Sequence, residues 1–285
     1  MTSKQLKYWY RKYLRKKINK YTPEKIKNFL FLITQISHLL EINALSKELK
    51  NDTPMSQLTW ASSYNLVSDN KLISKSVEYI KNANLLNFEH DKKLNTDSQI
   101  MYQFEYDNMN NFPGEHYRLL ISIINTENFE QVIEVGTGSG IASKLILSET
   151  RAKINTFDIV PWVESNSHLT PAEVTDPRLR IHIENLEQKK VFEKNIELFC
   201  NSNLIFLDAS KDGVFEDNLL VKLSNLKFED KFKLLFIDDI RYSKMYKIWS
   251  SIKSPKIDLT SFGHWSGTGV VDITNGLIYK SRNKN

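Results

Sequence analysis

Seven short apolar runs after residue 130, alternating with segments of helical spacing, restrict the fold of this chain more than any other feature. They are VIEVG (Val132–Gly136), INTFDIV (Ile154–Val160), LRIHI (Leu179–Ile183), NLIFLD (Asn203–Asp208), KLLFID (Lys233–Asp238), IDLTSF (Ile257–Phe262) and VVDI (Val270–Ile273). Apolar strands that alternate with helices predict a parallel, doubly wound sheet covered on both faces. Only Gly263–Gly269 separates the last two runs, and a parallel crossover needs about a dozen residues or more. These two must therefore run antiparallel. The expected fold is α/β: a Rossmann-like, doubly wound, seven-stranded sheet, mostly parallel, with an antiparallel terminal hairpin. It should occupy residues 111–285, after an α-helical N-terminal region spanning 1–110.

The first run passes directly into a glycine-rich turn, VIEVGTGSG, before a helix that starts near Ile141. Gly136, Gly138 and Gly140 let the backbone turn tightly and let a ligand approach the helix's N-terminal amides without Cβ interference. With Thr137 they form a candidate cofactor cradle. Glu134 lies two residues before the first glycine, and Asp158 closes the next run. An acid at the end of that second strand can accept both hydroxyls of a ribose, and one before the glycines can receive an ammonium group. NAD carries no such ammonium, so Glu134 favours S-adenosylmethionine; the alternative is that both acids only cap loops. The stretch resembles the cofactor-binding motif of class I S-adenosylmethionine-dependent methyltransferases, over about residues 114–280. A parallel unit ending in an antiparallel hairpin agrees with that resemblance.

Ligands in a doubly wound sheet sit beyond the carboxyl ends of the strands. Asp208 ends the fourth run, and Asp238 and Asp239 end the fifth. Carboxylates suit Mg²⁺ or another hard divalent cation. LDASKD (Leu207–Asp212) and FIDDI (Phe236–Ile240) are similar to the catechol O-methyltransferase-like branch of the family. The resemblance implies Asp208, Asp238 and Asp239 as metal ligands, Asp208 also beside the cofactor, and Lys211 as catalytic base. The chain departs from that pattern by having Asp239 where the relatives usually carry Asn. Such a site would align an acceptor oxygen with the methyl group and remove its proton. A bound cation would depress Lys211. Otherwise Asp208 and Asp239 cap the helices that follow and Lys211 is solvated.

The loop GHWSGTG (Gly263–Gly269) opens at the same edge. His264 and Trp265 either wall an acceptor pocket, with His264 as base or ligand, or belong to a plain hairpin turn. Trp162, shortly after Asp158, is a weaker candidate to cover an adenine. The ending IDDIRYSKMYKIWSSI…FGHWSGTGVVDI also looks like bacterial methyltransferases of surface sugars and secondary metabolites, which points to a sugar or other polyol hydroxyl as acceptor.

Charge is uneven along the chain. Residues 1–27 hold ten of the 39 Lys and Arg against one of the 34 acids, leaving 29 bases and 33 acids elsewhere. A nucleic-acid-binding fold should spread its basic surface, so no nucleic-acid partner is expected. Leu6, Trp9, Tyr10, Tyr13, Leu14, Ile18 and Tyr21 make an apolar stripe on a basic helix over residues 1–21. It either docks on protein or lies on an anionic membrane surface. The apolar stretch Phe29–Leu40 is too short and too interrupted to span a bilayer but is suited to a homodimer contact. With no signal peptide and one thiol, Cys200, in apolar surroundings, a cytoplasmic location is expected. The composite expectation is an O-methyltransferase acting on a small molecule or glycan. Its rivals are a metal-independent O- or N-methyltransferase, a nucleotide-binding oxidoreductase and a non-catalytic protein of the same fold.

Overall fold

Period-two alternation inside the strands sorts their side chains onto two buried faces. Val132, Ile154, Leu204, Phe206, Leu234, Phe236 and Val270 join one apolar cluster. Ile133, Val135, Phe157, Ile205, Leu207, Leu235, Ile237 and Val271 join the other. Burial on both faces explains why these runs read as continuously apolar. A computed structural model describes residues 70–88, 115–161, 168–228, 231–242, 244–264 and 266–281. All lie in one unit, Thr53–Leu94 with Gln99–Asn285. The expected helix over 1–21, the stretch Phe29–Leu40, Trp162 and Trp265 fall outside the described residues.

In chain order the elements are α1 (Asn70–Ala83), α2 (Glu115–Thr126), β1 (Gln131–Val135), α3 (Ile141–Glu149), β2 (Lys153–Asp158) and α4 (Pro171–Val174). Then come β3 (Leu179–Ile183), α5 (Lys189–Lys194), α6 (Ile196–Asn201), β4 (Leu204–Leu207) and α7 (Phe215–Ser224). The last are β5 (Leu234–Asp238), α8 (Met245–Ser251), β6 (Lys256–Asp258), a 3₁₀ turn (Thr260–Phe262) and β7 (Thr268–Asp272). The sheet has seven strands in the order β3-β2-β1-β4-β5-β7-β6. Strands β1 to β5 pair in parallel; β7 inserts antiparallel between β5 and β6. This is the Rossmann-like sheet the sequence predicts.

Side chains set the strand ends. The run IDLTSF is extended only as far as Asp258, whose Oδ1 accepts the Thr260 amide at 2.9 Å and its hydroxyl at 2.5 Å. That local bonding turns the chain into the 3₁₀ turn. In the same way Asp158 Oδ1 accepts the Val160 amide at 2.9 Å and closes β2. Lys233, immediately before β5, is anchored by its ammonium donating to the carbonyls of Phe199 and Cys200, at 2.9 and 2.6 Å.

Helix α1 lies N-terminal to the boundary expected between 110 and 111, yet shares the sheet's core. Leu72, Tyr79 and Ala83 join the same cluster as Leu119–Ile124 of α2 and the sheet. Tyr79 donates to Glu127 at 2.6 Å, and Lys75 contacts the same carboxylate. Among the described residues no helix is long and apolar enough to cross a membrane.

Candidate active site

The parallel strand order reverses between β1 and β4, which opens a crevice at their carboxyl ends. Gly136 follows β1 there with φ +101°, and a Cβ on it would lie 1.9 Å from the Asp208 carbonyl oxygen. Only glycine allows the two loops this approach. The cradle and the carboxylates after β4 are thus contiguous. Gly138 has φ +52°, and a Cβ there would meet nothing within 4 Å. Gly140, at φ 80°, precedes α3 without a side-chain cap, so its first amides face the turn.

Three side chains brace the turn. Thr137 and Thr156 share a hydroxyl hydrogen bond of 2.6 Å. Asp158 Oδ2 accepts the Gly138 amide at 3.0 Å, so this acid holds the turn's backbone as well as closing its own strand. Glu134 is 1% exposed and accepts the Ser143 hydroxyl of α3 at 2.5 Å. Burial raises Glu134 from 4.5 to about 8, against the opposing pull of hydrogen bonds from Ser143 and Thr156. The His168 amide donates to the Ser139 carbonyl of the turn at 2.7 Å.

Beyond β4 and β5 the expected acids meet around Lys211. Its ammonium is 2.9 Å from Asp208 Oδ1, 3.7 Å from Asp238 Oδ2 and in close contact with Asp239 Oδ2. On the far side His264 Nδ1 lies 3.1 Å from Asp239 Oδ1 and 3.5 Å from Asp238 Oδ1. The Ser266 hydroxyl donates to Asp239 and lies 2.7 Å from His264 Nδ1. The two nonglycine residues at the centre, Lys211 (φ 57°) and Asp239 (φ 60°), adopt left-handed backbone conformations. Such strain costs on the order of 1–3 kcal/mol per residue and persists where surrounding contacts impose it. Glu216 supplies one of those constraints: its carboxylate accepts the amides of Lys211 at 2.6 Å and Gly213 at 2.9 Å.

Neither aspartate caps the helix that follows it. Asp212 accepts the Val214 and Phe215 amides just ahead of α7 at 2.9 Å each, and neither α7 nor α8 has a side-chain bond at its N-cap residue. Lys211 is also not solvated. Burial opposes its charge, but Asp208, Asp239 and Asp238 outweigh that and hold it well above 10.5. In this arrangement the lysine is itself the cation among the acids.

Burial lifts Asp208 to about 6, opposed by Lys211 and helped by the other two carboxylates. Asp239 goes the other way: burial would raise it, but Lys211 and His264 keep it below the ordinary carboxylate range. His264 rises to about 10 although burial opposes its charge, because Asp238 and Asp239 stabilise the imidazolium.

Two participants escape a reading of the sequence. His116, in the first turn of α2, has its ring 4.9 Å from that of His264. Burial lowers it to about 4, so it is neutral. It is 122 positions from the nearest of the three acids that is buried with it, Asp238, and only packing of α2 on the sheet joins them. Ser266 reads as an ordinary loop residue. One oxygen from each of Asp208, Asp238 and Asp239 lies within 4.8 Å of the others. The Lys211 ammonium among them marks a pocket suited to positive charge.

No protein-family model matches the sequence, and neither does any curated protein. Among solved structures the chain is similar to a short-chain dehydrogenase/reductase from Veillonella parvula in complex with NADP (19% identity, TM-score 0.28). That match covers 35% of this chain and 45%, less than half, of the other. It is similar also to an S-adenosylhomocysteine-bound methyltransferase from Podospora anserina (16% identity, TM-score 0.41), over 72% of this chain and 87% of that one. A third is an O-methyltransferase from Streptomyces achromogenes, involved in tomaymycin synthesis and solved with S-adenosylmethionine. There the identity is 11% and the TM-score 0.39, over 74% of this chain and 91% of that one.

Proposed function

We propose that the chain is an S-adenosylmethionine-dependent O-methyltransferase acting on a hydroxyl of a small molecule or glycan, assisted by Mg²⁺ or another divalent cation. The observation that carries this reading is the seam at Gly136, where a glycine cradle with its own acid abuts Asp208 of the carboxylate cluster. A donor held in the cradle would have its reactive end directed at the acids.

Glu134 receives the donor's ammonium, the turn of Gly136, Thr137, Gly138 and Gly140 admits its backbone-facing edge, and Asp158 accepts the ribose hydroxyls with its remaining lone pairs. Asp208, Asp238 and Asp239 would hold the cation, which lowers the pKa of an acceptor hydroxyl when bound. Lys211 would take that hydroxyl's proton at Nζ if a bound cation offset the carboxylates that now hold it charged. His264, oriented by Asp239 and Ser266, borders the acceptor. The burial of Asp238 and Asp239 strengthens their electrostatic contacts.

One observation favours a metal-independent transferase instead: the Lys211 ammonium already neutralises the acids. Calorimetry with S-adenosylmethionine and S-adenosylhomocysteine tests the donor, and methyl transfer to polyol acceptors with and without EDTA separates the two readings. Under the metal-assisted reading EDTA and Asp208→Ala each abolish transfer. Retained activity with EDTA leaves the metal-independent reading. Absence of binding heat from both donor and product removes both.

A further inference from the structure

The carboxylate cluster has a second side, lined by nitrogen. Both ring nitrogens of His116 and Oδ1 of Asp238 are buried without a hydrogen-bond partner. The residues are 5% and 2% exposed. Buried polar groups are ordinarily paired, so the Asp238 oxygen and one His116 nitrogen together point to a ligand that completes them.

The atoms converge. One ligand atom from each of His116, Asp238 and His264 lies within 4.8 Å of the other two, and the two imidazole centres are 4.9 Å apart. Two imidazoles on one ion, with nitrogens about 2.1 Å from it at roughly right angles or slightly wider, have ring centres about 4.5–5.3 Å apart.

Asp238 presents its two oxygens to different neighbours. Oδ2 faces the Lys211 ammonium at 3.7 Å, while Oδ1 faces His264 at 3.5 Å, beyond a good hydrogen bond. An ion on the Oδ1 side therefore leaves Lys211 in place. Nδ1 of His264 also lies 3.1 Å from Asp239 Oδ1, a contact that an ion on this nitrogen would replace.

We propose that His116, Asp238 and His264 form a binding site for a divalent transition metal of the Zn²⁺, Fe²⁺ or Co²⁺ class. Imidazole donors select these ions, whereas oxygen-only sets suit Mg²⁺. Three protein ligands leave at least one position open to water or an acceptor hydroxyl. This donor set shares Asp238 with the triad of Asp208, Asp238 and Asp239 but has two imidazoles in place of the other two acids, and its assignment does not depend on the transferase reading.

The full chain, stripped of metal, is titrated with Co²⁺ alone and followed by visible absorption, then competed with Zn²⁺ in a calorimeter. One ion should bind per chain. His116→Gln and His264→Gln should each weaken it by at least about 100-fold, the upper end of what losing an outer-shell partner costs. Asp208→Asn should change it little. X-ray absorption on the unsubstituted, Zn²⁺-loaded protein should show scattering from two imidazoles, a readout that needs no variant to fold. Absence of binding, oxygen-only donors in the spectrum, or affinity lost in Asp208→Asn and kept in His116→Gln would each overturn the assignment.

Discussion

Replacing Glu134 with Gln separates the cost of that residue from its use. In the folded chain burial raises the carboxyl from 4.5 to about 8. A group whose folded value is raised stabilises fully below its ordinary value and loses that contribution as pH rises to the folded value. Each pH step in that window costs about 1.4 kcal/mol, so at pH 7 the folded state forfeits about 3 kcal/mol relative to a group that does not titrate. Gln keeps an oxygen for the Ser143 hydroxyl, so Glu134→Gln should unfold at higher urea concentration. The gain should grow from about pH 4.5 to about 8 and be absent below. Donor affinity should fall in the same variant, because a neutral amide cannot neutralise an ammonium. In the unsubstituted protein, donor binding near neutrality should release a proton, read as a dependence of calorimetric heat on the buffer's ionisation enthalpy. A variant that is less stable at neutral pH, or that binds S-adenosylhomocysteine as well as the parent does, would refute the electrostatic role assigned to Glu134.

Two further substitutions probe the seam and the cluster. Gly136→Ala places a methyl 1.9 Å from the Asp208 carbonyl at a φ of +101° and should cost about 3 kcal/mol or more in thermal unfolding. Gly138→Ala meets open space and should lose about 1–2 kcal/mol of stability but much of its donor affinity, so equal stability losses would contradict the packing described. Lys211→Met leaves three acids without their ammonium and should cost about 3–5 kcal/mol at neutral pH. Lys211 is held above its ordinary 10.5, so its contribution is complete at neutrality; Asp239 is held below 3.8, so its share disappears only in acid. The stability gap should therefore shrink as pH falls towards about 4 and the acids take up protons, and a gap independent of pH in urea titrations would count against the ion cluster.

Much of the candidate site is legible in one dimension because its parts sit at strand ends, and strands announce themselves by short apolar runs. Gly136, Asp158, Asp208, Asp238 and Asp239 each follow or close such a run, Glu134 lies within the first, and a doubly wound sheet delivers strand ends to one edge. Lys211 and His264 come with their loops. His116 is hidden because it opens a helix whose pattern marks only the core residues Leu119 to Ile124, and helical periodicity says nothing about which strand end the helix's first turn will meet. Ser266 and Glu216 were hidden for a related reason: each acts on the backbone or side chain of another residue, without an apolar pattern of its own.

From the sequence alone followed the alternation of strands and helices, the antiparallel last pair and the set of acids at the carboxyl edge, because periodicity, loop length and glycine placement are local properties. Tertiary packing alone decided the charge of each group. Lys211 is a half-buried ammonium among three carboxylates, Glu134 holds a proton to about pH 8, and His116 stays neutral beside an imidazolium. Protonation depends on burial and on neighbours brought together from five separate stretches of chain, and distances across the fold are set only when the helices settle on the sheet.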